Sequence, residues 1–528
     1  MSKRGKNLNK SRVSEKKRRQ NSPLIRLWEA VNRAWEQGDH AECLDSLIKM
    51  ERLAPENPKI HLELGRIRGM MLDYAAAESS FDRCMELAAP GERPRLLVEA
   101  GRIARDFYEP ELADNYFSRA LETDNPAPDV LVEFAMFSER GSPQVARELV
   151  DRALSTDPDH LAAKRMRGHL LQKSGEFEAA EEILRPLAAR PSPPQIRAQA
   201  GYDLGALLDR TGRYDEAMEA FVLAKSMMYE EGVRLRDQRD GSIRRVFDLR
   251  ERLTPEVIER WHEQGEKLHP QRRLTLLGGH PRSGTTLLEQ VLDAHDDICS
   301  AEETMIFRDQ FIRPATRAAG PEVPIFDIWD PVTTGQMHEM REAYFDLMAK
   351  SVGGSLAGRM LVDKNPSLTL SPAVLSRCFP EMKFLIALRD PRDVVMSCFM
   401  QPMFPLQQVN ATWLQLGTAA EEYANLMGSW LEVSPMLPNP QLTVRYEDMV
   451  EDLETVARKA LEFLGVEWDE RVLDFHKHAQ EKRVRSPTYA EVTRKIFTSS
   501  RGRWRNYEKF LDPHMHQLEP FLEAFGYE

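Results

Sequence analysis

A chain of 528 residues is too long for one hydrophobic core and calls for two to four domains, and its 42% hydrophobic and 30% charged content is that of a soluble globular protein. No apolar run approaches the roughly 18 to 20 residues that span a bilayer, and the basic start of the chain, MSKRGKNLNK, is followed by no apolar segment, so a membrane span and an export route are not expected. Five cysteines, Cys43, Cys84, Cys299, Cys378 and Cys398, form neither an even set nor a C-x-x-C pair, which argues against a disulfide framework or a zinc site and fits a reducing cytoplasm.

The formal charge of -12 is unevenly distributed. Residues 1–22 hold nine Lys or Arg and one Glu, a charge of +8, which leaves about -20 for the remainder. With almost no apolar content, 1–22 reads as a disordered, solvated tail. The acidic remainder argues against a nucleic-acid-binding body.

Residues 23–228 repeat. GDHAEC at 38–43 returns in altered form as LDYAAA at 72–77, SGEFEAA at 174–180 and TGRYDEA at 211–217. The closing small residues Cys43, Ala77, Ala113, Ala146, Ala180 and Ala217 stand 34, 36, 33, 34 and 37 apart, the period of a two-helix repeat. A second small residue follows seven places on, as in Ala120, Ala153 and Ala224, with large residues such as Phe81, Phe117 and Phe221 between them. Small positions let two antiparallel helices approach and the large one fills the next groove, a pattern that resembles tetratricopeptide repeats. Pro55 and Pro158 close two of the helices. Such a solenoid either binds a peptide or protein partner or serves as a packing or homodimerisation scaffold.

Residues 229–272 are charged and helix-prone, a helical connector. The stretch RRLTLLGGHPRSGTTLLEQVLDAH at 272–295 then changes period: an apolar strand, a Gly-rich turn, and an amphipathic helix with Leu287, Leu288, Val291 and Leu292 on one face. Gly279 and Gly284 have the spacing of a phosphate loop, G-x-x-x-x-G-K-[ST], but Thr285 stands where the lysine belongs and Arg282 lies inside the loop. N–H groups at the start of the helix can still hold an anion. A second stretch, FPEMKFLIALRDPRDVVMSCF at 379–399, has the same logic: a buried strand ends in Arg389 and a helix carries Ser397. Two anion sites on one parallel sheet would suit a nucleotide with phosphates at both ends.

PRSGTTL at 281–287, followed about a hundred residues later by R-D-P-R-x-x-x-x-S at 389–397, resembles the sulfotransferase family over roughly residues 273–528. The resemblance implies an α/β P-loop-like domain with a parallel sheet, behind an α-solenoid, that binds 3'-phosphoadenosine 5'-phosphosulfate (PAPS) without a metal. It implies that the loop Arg282, Ser283, Gly284, Thr285, Thr286 and Leu287 cradles the 5'-phosphosulfate. Arg389 and Ser397 would hold the 3'-phosphate, with Tyr446 of TVRYEDMV beside the nucleotide. Ser486 and Arg494 or Lys495, in the closing segment, fall where bacterial fusions of such repeats to a sulfotransferase place nucleotide contacts. Arg282, and Lys364 in LVDKNPS, would stabilise the charge that grows on the departing phosphate.

DAHDDICSAEETMIF at 293–307 is similar to the D-A-H-P-x-x-x-x-x-E-E-T stretch of tyrosylprotein sulfotransferases, whose second Glu is the general base, and this carries over to Glu303. In an extended stretch Glu302 and Glu303 would point to opposite sides, so only one would face the pocket. His280, in the loop, and His295, at the helix end, are poorer bases by position. The arginines that read acidic peptides in those enzymes are not matched: one is absent, and Arg308 is displaced by a residue. That departure argues against an acidic tyrosine peptide, and the expected acceptor is a peptide tyrosine or a small phenolic, carbohydrate or lipid hydroxyl. Residues 305–345 are expected to build its pocket or a lid. A P-loop kinase or nucleotide hydrolase, and a non-enzymatic repeat scaffold with a relic nucleotide domain, stand as alternatives.

Overall fold

A computed structural model describes residues 23–107, 110–122, 126–189, 193–320, 322–402, 407–482 and 500–528. The basic tail, and with it Ser486, Arg494 and Lys495, lies outside the described residues. Contacts divide the chain at Met166 and Arg167 into two compact units.

Among the described residues the repeat period resolves into six helix pairs, from Pro23–Gln37 with His40–Leu53 to Pro194–Arg210 with Tyr214–Ser226. Local chemistry sets their starts. Asp39 and Asp73 accept the N–H of Glu42 (3.0 Å) and Ala76 (3.2 Å), and Pro58, Pro128, Pro143 and Pro194 open helices where no N–H partner is needed. The six marker residues, from Cys43 to Ala217, are fully buried, as are Phe81, Phe117 and Phe221. Their period is therefore the period of the helix–helix contact. Arg66 joins successive repeats, pairing with Glu63 of its own helix (2.9 Å) and Glu99 of the next repeat (3.0 Å).

The second unit holds a five-stranded, wholly parallel sheet. Its strands are β1 (Leu274–Gly279), β2 (Ile298–Glu302), β3 (Met360–Lys364), β4 (Lys383–Leu388) and β5 (Gln441–Arg445), in the order β2-β3-β1-β4-β5. The near-continuous apolar runs LTLL and KFLIAL follow from burial on both faces. One face packs Leu277, Val362 and Leu385 against Leu288, Val291 and Leu292 of the helix Thr285–Asp293 and against Leu461 and Leu464 of the helix Leu453–Leu464. On the other, Phe384 meets Trp430 of the helix Leu416–Val433 at 5.6 Å between ring centres. β1 lies between β3 and β4, so the chain leaves these three neighbours along one carboxyl edge, where α/β sheets bind ligands.

Candidate active site

β1 ends at Gly279, whose φ is 121°. A Cβ there would meet the Ala387 carbonyl oxygen of β4 at 2.3 Å, so only glycine lets the chain turn this close to the neighbouring strand. The hydroxyl and N–H of Ser283 both donate to the His280 carbonyl, at 2.6 and 3.1 Å, and close the loop on itself. Gly284, with φ 95°, caps the helix Thr285–Asp293, and a Cβ on it would lie 2.8 Å from the Tyr446 ring. Tyr446 therefore packs directly on the loop. Thr285 and Thr286 are buried, and the Leu287 side chain packs on the sheet cluster, so that only its backbone N–H is turned to the start of the helix.

Arg282 has φ 74°, a left-handed conformation that costs a non-glycine residue about 1 to 2 kcal/mol. The strained backbone aims Arg282 Nε at Ser397 Oγ, 3.1 Å away on the helix Pro391–Phe399. Arg389 joins them: one Nη donates to the Arg282 carbonyl at 3.3 Å, the other to the Ser500 carbonyl, and its guanidinium lies 4.9 Å from the Tyr446 ring centre. Its Nε is buried and makes no hydrogen bond among the described residues. Arg282, Ser397, Arg389 and Tyr446, separated by up to 164 positions in sequence, thus surround one loop.

A second cluster forms around Lys364, at the end of β3 and in register with Leu277 of β1 and Glu302 of β2. Its side chain is 0% exposed, and its Nζ lies 2.8 Å from Glu303, 3.4 Å from Glu289 and 3.5 Å from Glu302. Burial opposes a charged ammonium, but the three carboxylates outweigh it and hold the lysine above its ordinary range. The acids differ in access. Glu289 is 0% and Glu302 8% exposed, whereas Glu303 is 50% exposed and offers its carboxylate to solvent while touching the lysine.

Glu302 and Glu303 do not diverge as an extended stretch requires. β2 ends at Glu302, and Glu303 takes φ 47°, which breaks the alternation and returns its side chain to Lys364. Its N–H meanwhile donates to the Lys364 carbonyl at 2.7 Å. Glu289 is the participant that sequence reasoning missed. Its signal was a carboxylate on the second turn of the loop helix, flanked by Leu288, Val291 and Leu292 with no solvent face to occupy.

His280 is 1% exposed and packs on Tyr423 at 5.0 Å between ring centres, with Nδ1 donating to the Pro281 carbonyl at 2.8 Å. Burial drives its pKa down to about 4, which leaves a neutral imidazole behind the loop. His295 is buried at the other end of the helix, 3.0 Å from the Glu467 carbonyl. On the opposite sheet face, burial pushes Asp363 up to about 7, against the pull of a 2.8 Å hydrogen bond from Tyr344 and of neighbouring Lys364. Arg308 pairs with Asp309 at 2.8 Å, as does Arg313 at 3.2 Å. Among the described residues no group of three or more His, Cys, Asp or Glu is arranged to hold a metal ion, and no helix is long and apolar enough to cross a membrane.

Residues 275–470 match the model of the sulfotransferase family, and residues 137–201 that of the tetratricopeptide repeat. An uncharacterized protein of Aquifex aeolicus is 27% identical over 425 residues, 72% of this chain and 53% of that protein. Protein-tyrosine sulfotransferase 2 of Gallus gallus is 33% identical over 207 residues, 38% of this chain and 53% of that protein. The chain thus spans about half the length of each relative. Among solved structures, the sulfotransferase domain from the Synechococcus PCC 7002 olefin synthase is 21% identical, covers 50% of this chain and 98% of that chain, and has a TM-score of 0.35.

Proposed function

We propose that this chain, whose residues 275–470 match the sulfotransferase family model and 137–201 that of the tetratricopeptide repeat, moves a sulfuryl group from PAPS to the hydroxyl of an acceptor, with Glu303 as general base. The observation that carries this reading is the pairing of Glu303 with Lys364 beside a loop ringed by Arg282, Ser397 and Arg389. The residues fit the donor: the buried Nε of Arg389 makes no hydrogen bond among the described residues, and the start of the helix Thr285–Asp293 offers N–H groups without intrahelical partners.

A lysine within the loop would face the β- and γ-phosphates of a triphosphate with its magnesium ion. One phosphate and one sulfuryl group carry less charge there, and Thr285, Thr286 and backbone N–H groups suffice to receive them. PAPS, when bound, supplies the sulfuryl group: the acceptor oxygen forms the new S–O bond as the bond to the bridging phosphate oxygen breaks. Glu303 takes the acceptor hydroxyl proton on its carboxylate. Lys364 and Arg282 keep fixed positive charge where negative charge grows, which lowers the barrier more than it tightens ground-state binding. Arg389 and Ser397 hold the 3'-phosphate, and Tyr446 keeps the loop in place.

The acceptor belongs to one of two classes, a peptide tyrosine presented with help from the repeats, or a small-molecule or carbohydrate hydroxyl. Titration calorimetry with the desulfated nucleotide in the presence of a chelator tests the donor half, and a screen of both acceptor classes with radiolabelled PAPS tests the transfer. Chelator-resistant binding that weakens by about 1.5 to 3 kcal/mol in Arg389→Ala is expected, the scale of a hydrogen bond to a charged group. A strict magnesium requirement would favour the kinase reading instead.

A further inference from the structure

The last repeat lies in the same compact unit as the sheet, and its residues reach the nucleotide side of the proposed site. Asp209, at the end of the helix Pro194–Arg210, accepts a 2.7 Å hydrogen bond from the Tyr507 hydroxyl and pairs with Arg503. Beside it Tyr214 meets the Tyr507 ring edge-on at 5.5 Å, and Asp215 pairs with Lys509 at 2.7 Å. Three residues before Arg503, the Ser500 carbonyl accepts from Arg389. Gly502 and Trp504 donate their N–H groups to the two oxygens of Asp393, at 2.7 and 2.9 Å, and Asp393 lies 3.7 Å from the same guanidinium.

Residues 500–502 belong to no helix or strand. Their place is set by anchors: Asp393 on the helix Pro391–Phe399 on one side, and Asp209, through Arg503 and Tyr507, on the other. The same repeat also supports the far end of that helix. Lys225, fully buried, donates to the Trp413 carbonyl at 2.9 Å and lies 4.8 Å from the Phe399 ring centre. The repeat thus braces both ends of the helix that follows Arg389 and carries Ser397.

We propose that Asp209 is a positioning residue of the nucleotide site, holding the 500–504 segment so that the Ser500 carbonyl orients Arg389 toward the 3'-phosphate. The inference rests on the assignment of Arg389 to that phosphate. It makes the last repeat a working part of donor recognition, whatever the earlier repeats bind.

The test compares adenosine 3',5'-bisphosphate with adenosine 5'-monophosphate, which lacks the 3'-phosphate, by calorimetry on the full chain. Asp209→Asn should weaken the bisphosphate about 5- to 10-fold and the monophosphate less than about twofold, because the effect passes through Arg389 alone. A merely structural loss would lower both alike and would overturn the inference, as would unchanged bisphosphate affinity. Should Asp209→Asn fold poorly by thermal melt, Tyr507→Phe, which removes one hydroxyl, carries the same expectation and the same refutation. Arg389→Ala separates the two levels. If it selectively weakens the bisphosphate while the Asp209 and Tyr507 variants do not, the positioning role falls and the phosphate assignment stands; if it is not selective, both fall.

Discussion

Lys364 and Glu289 lie 3.4 Å apart, and neither side chain reaches solvent. Such a pair is strongly coupled, because removing one member strands the other charge in a poorly solvating interior. Lys364→Met should therefore lower stability by about 3 to 5 kcal/mol, and adding Glu289→Gln should restore most of it without restoring turnover. Denaturant unfolding and single-turnover assays of both variants check this. Failure of the second change to restore stability would mean that Glu289 is not the charge that Lys364 neutralises. Because Lys364 is held above its ordinary range, the stability it contributes is fully present below about pH 10 and is lost only as pH rises further.

Glu303 is the accessible acid of the cluster, so its role is separable from that of its neighbours. Glu303→Gln keeps shape and loses basicity, and kcat should fall by about 10² to 10⁴ with nucleotide affinity little changed. Glu302→Gln, whose carboxylate is nearly inaccessible, should cost much less turnover. Single-turnover sulfation at saturating PAPS measures both; a crippled Glu302→Gln beside an active Glu303→Gln would move the base by one residue.

Asp363 predicts an unusual pH dependence of stability. Its carboxyl is raised to about 7 in the fold, so the native state keeps a proton that the unfolded chain releases near pH 4. Stability contributed by this group is therefore present at low pH and lost as pH rises from about 4 to about 7. Between pH 5 and pH 8 the loss amounts to roughly 2 to 3 kcal/mol. His280 acts in the opposite sense, because its depressed pKa makes folding less favourable as pH falls through the range from its ordinary value to about 4. The informative measurement is thus the difference between wild type and Asp363→Asn in unfolding free energy at the two pH values. Identical pH slopes would show that Asp363 is ionised in the native state.

The repeats and the sheet were legible because each rests on a period. Six buried small residues about 34 apart and the apolar runs LTLL and KFLIAL are written one position at a time, and so are the Gly279 to Gly284 loop and the R-D-P-R turn. The geometry at Lys364 was not legible. That Glu302 and Glu303 reach the same lysine depends on the pairing of β2 with β3 and on a positive φ at a glutamate, and neither is visible in local composition. Glu289 was hidden for a related reason, since a helix pattern identifies the apolar face but not the single acid within it that has a buried cation waiting. Asp209 finds Arg503 across 294 positions, a distance no periodicity bridges.

Truncation separates the repeats from one another. A chain of residues 159–528, which keeps the whole helix Leu161–Ser174 and the last two helix pairs, should be soluble and bind the desulfated nucleotide. A chain of residues 229–528 loses Asp209 and Lys225 and bares Phe399 and Trp413, and should be insoluble or bind at least about tenfold more weakly. Soluble yield and calorimetry decide the matter. Equal behaviour of the two would mean that the last repeat is dispensable for the nucleotide domain.

Glu303 is tied to Lys364 twice, by its N–H on the lysine carbonyl and by its carboxylate on the lysine ammonium. The first tie extends the pairing of β2 with β3 and does not depend on the residues after Thr304. The backbone at the acid is therefore held by the sheet itself, as one further rung beyond the last paired residues Glu302 and Lys364. Acid and lysine thus ride on one pair of strands, so any displacement of β3 carries both groups together and leaves their mutual distance unchanged.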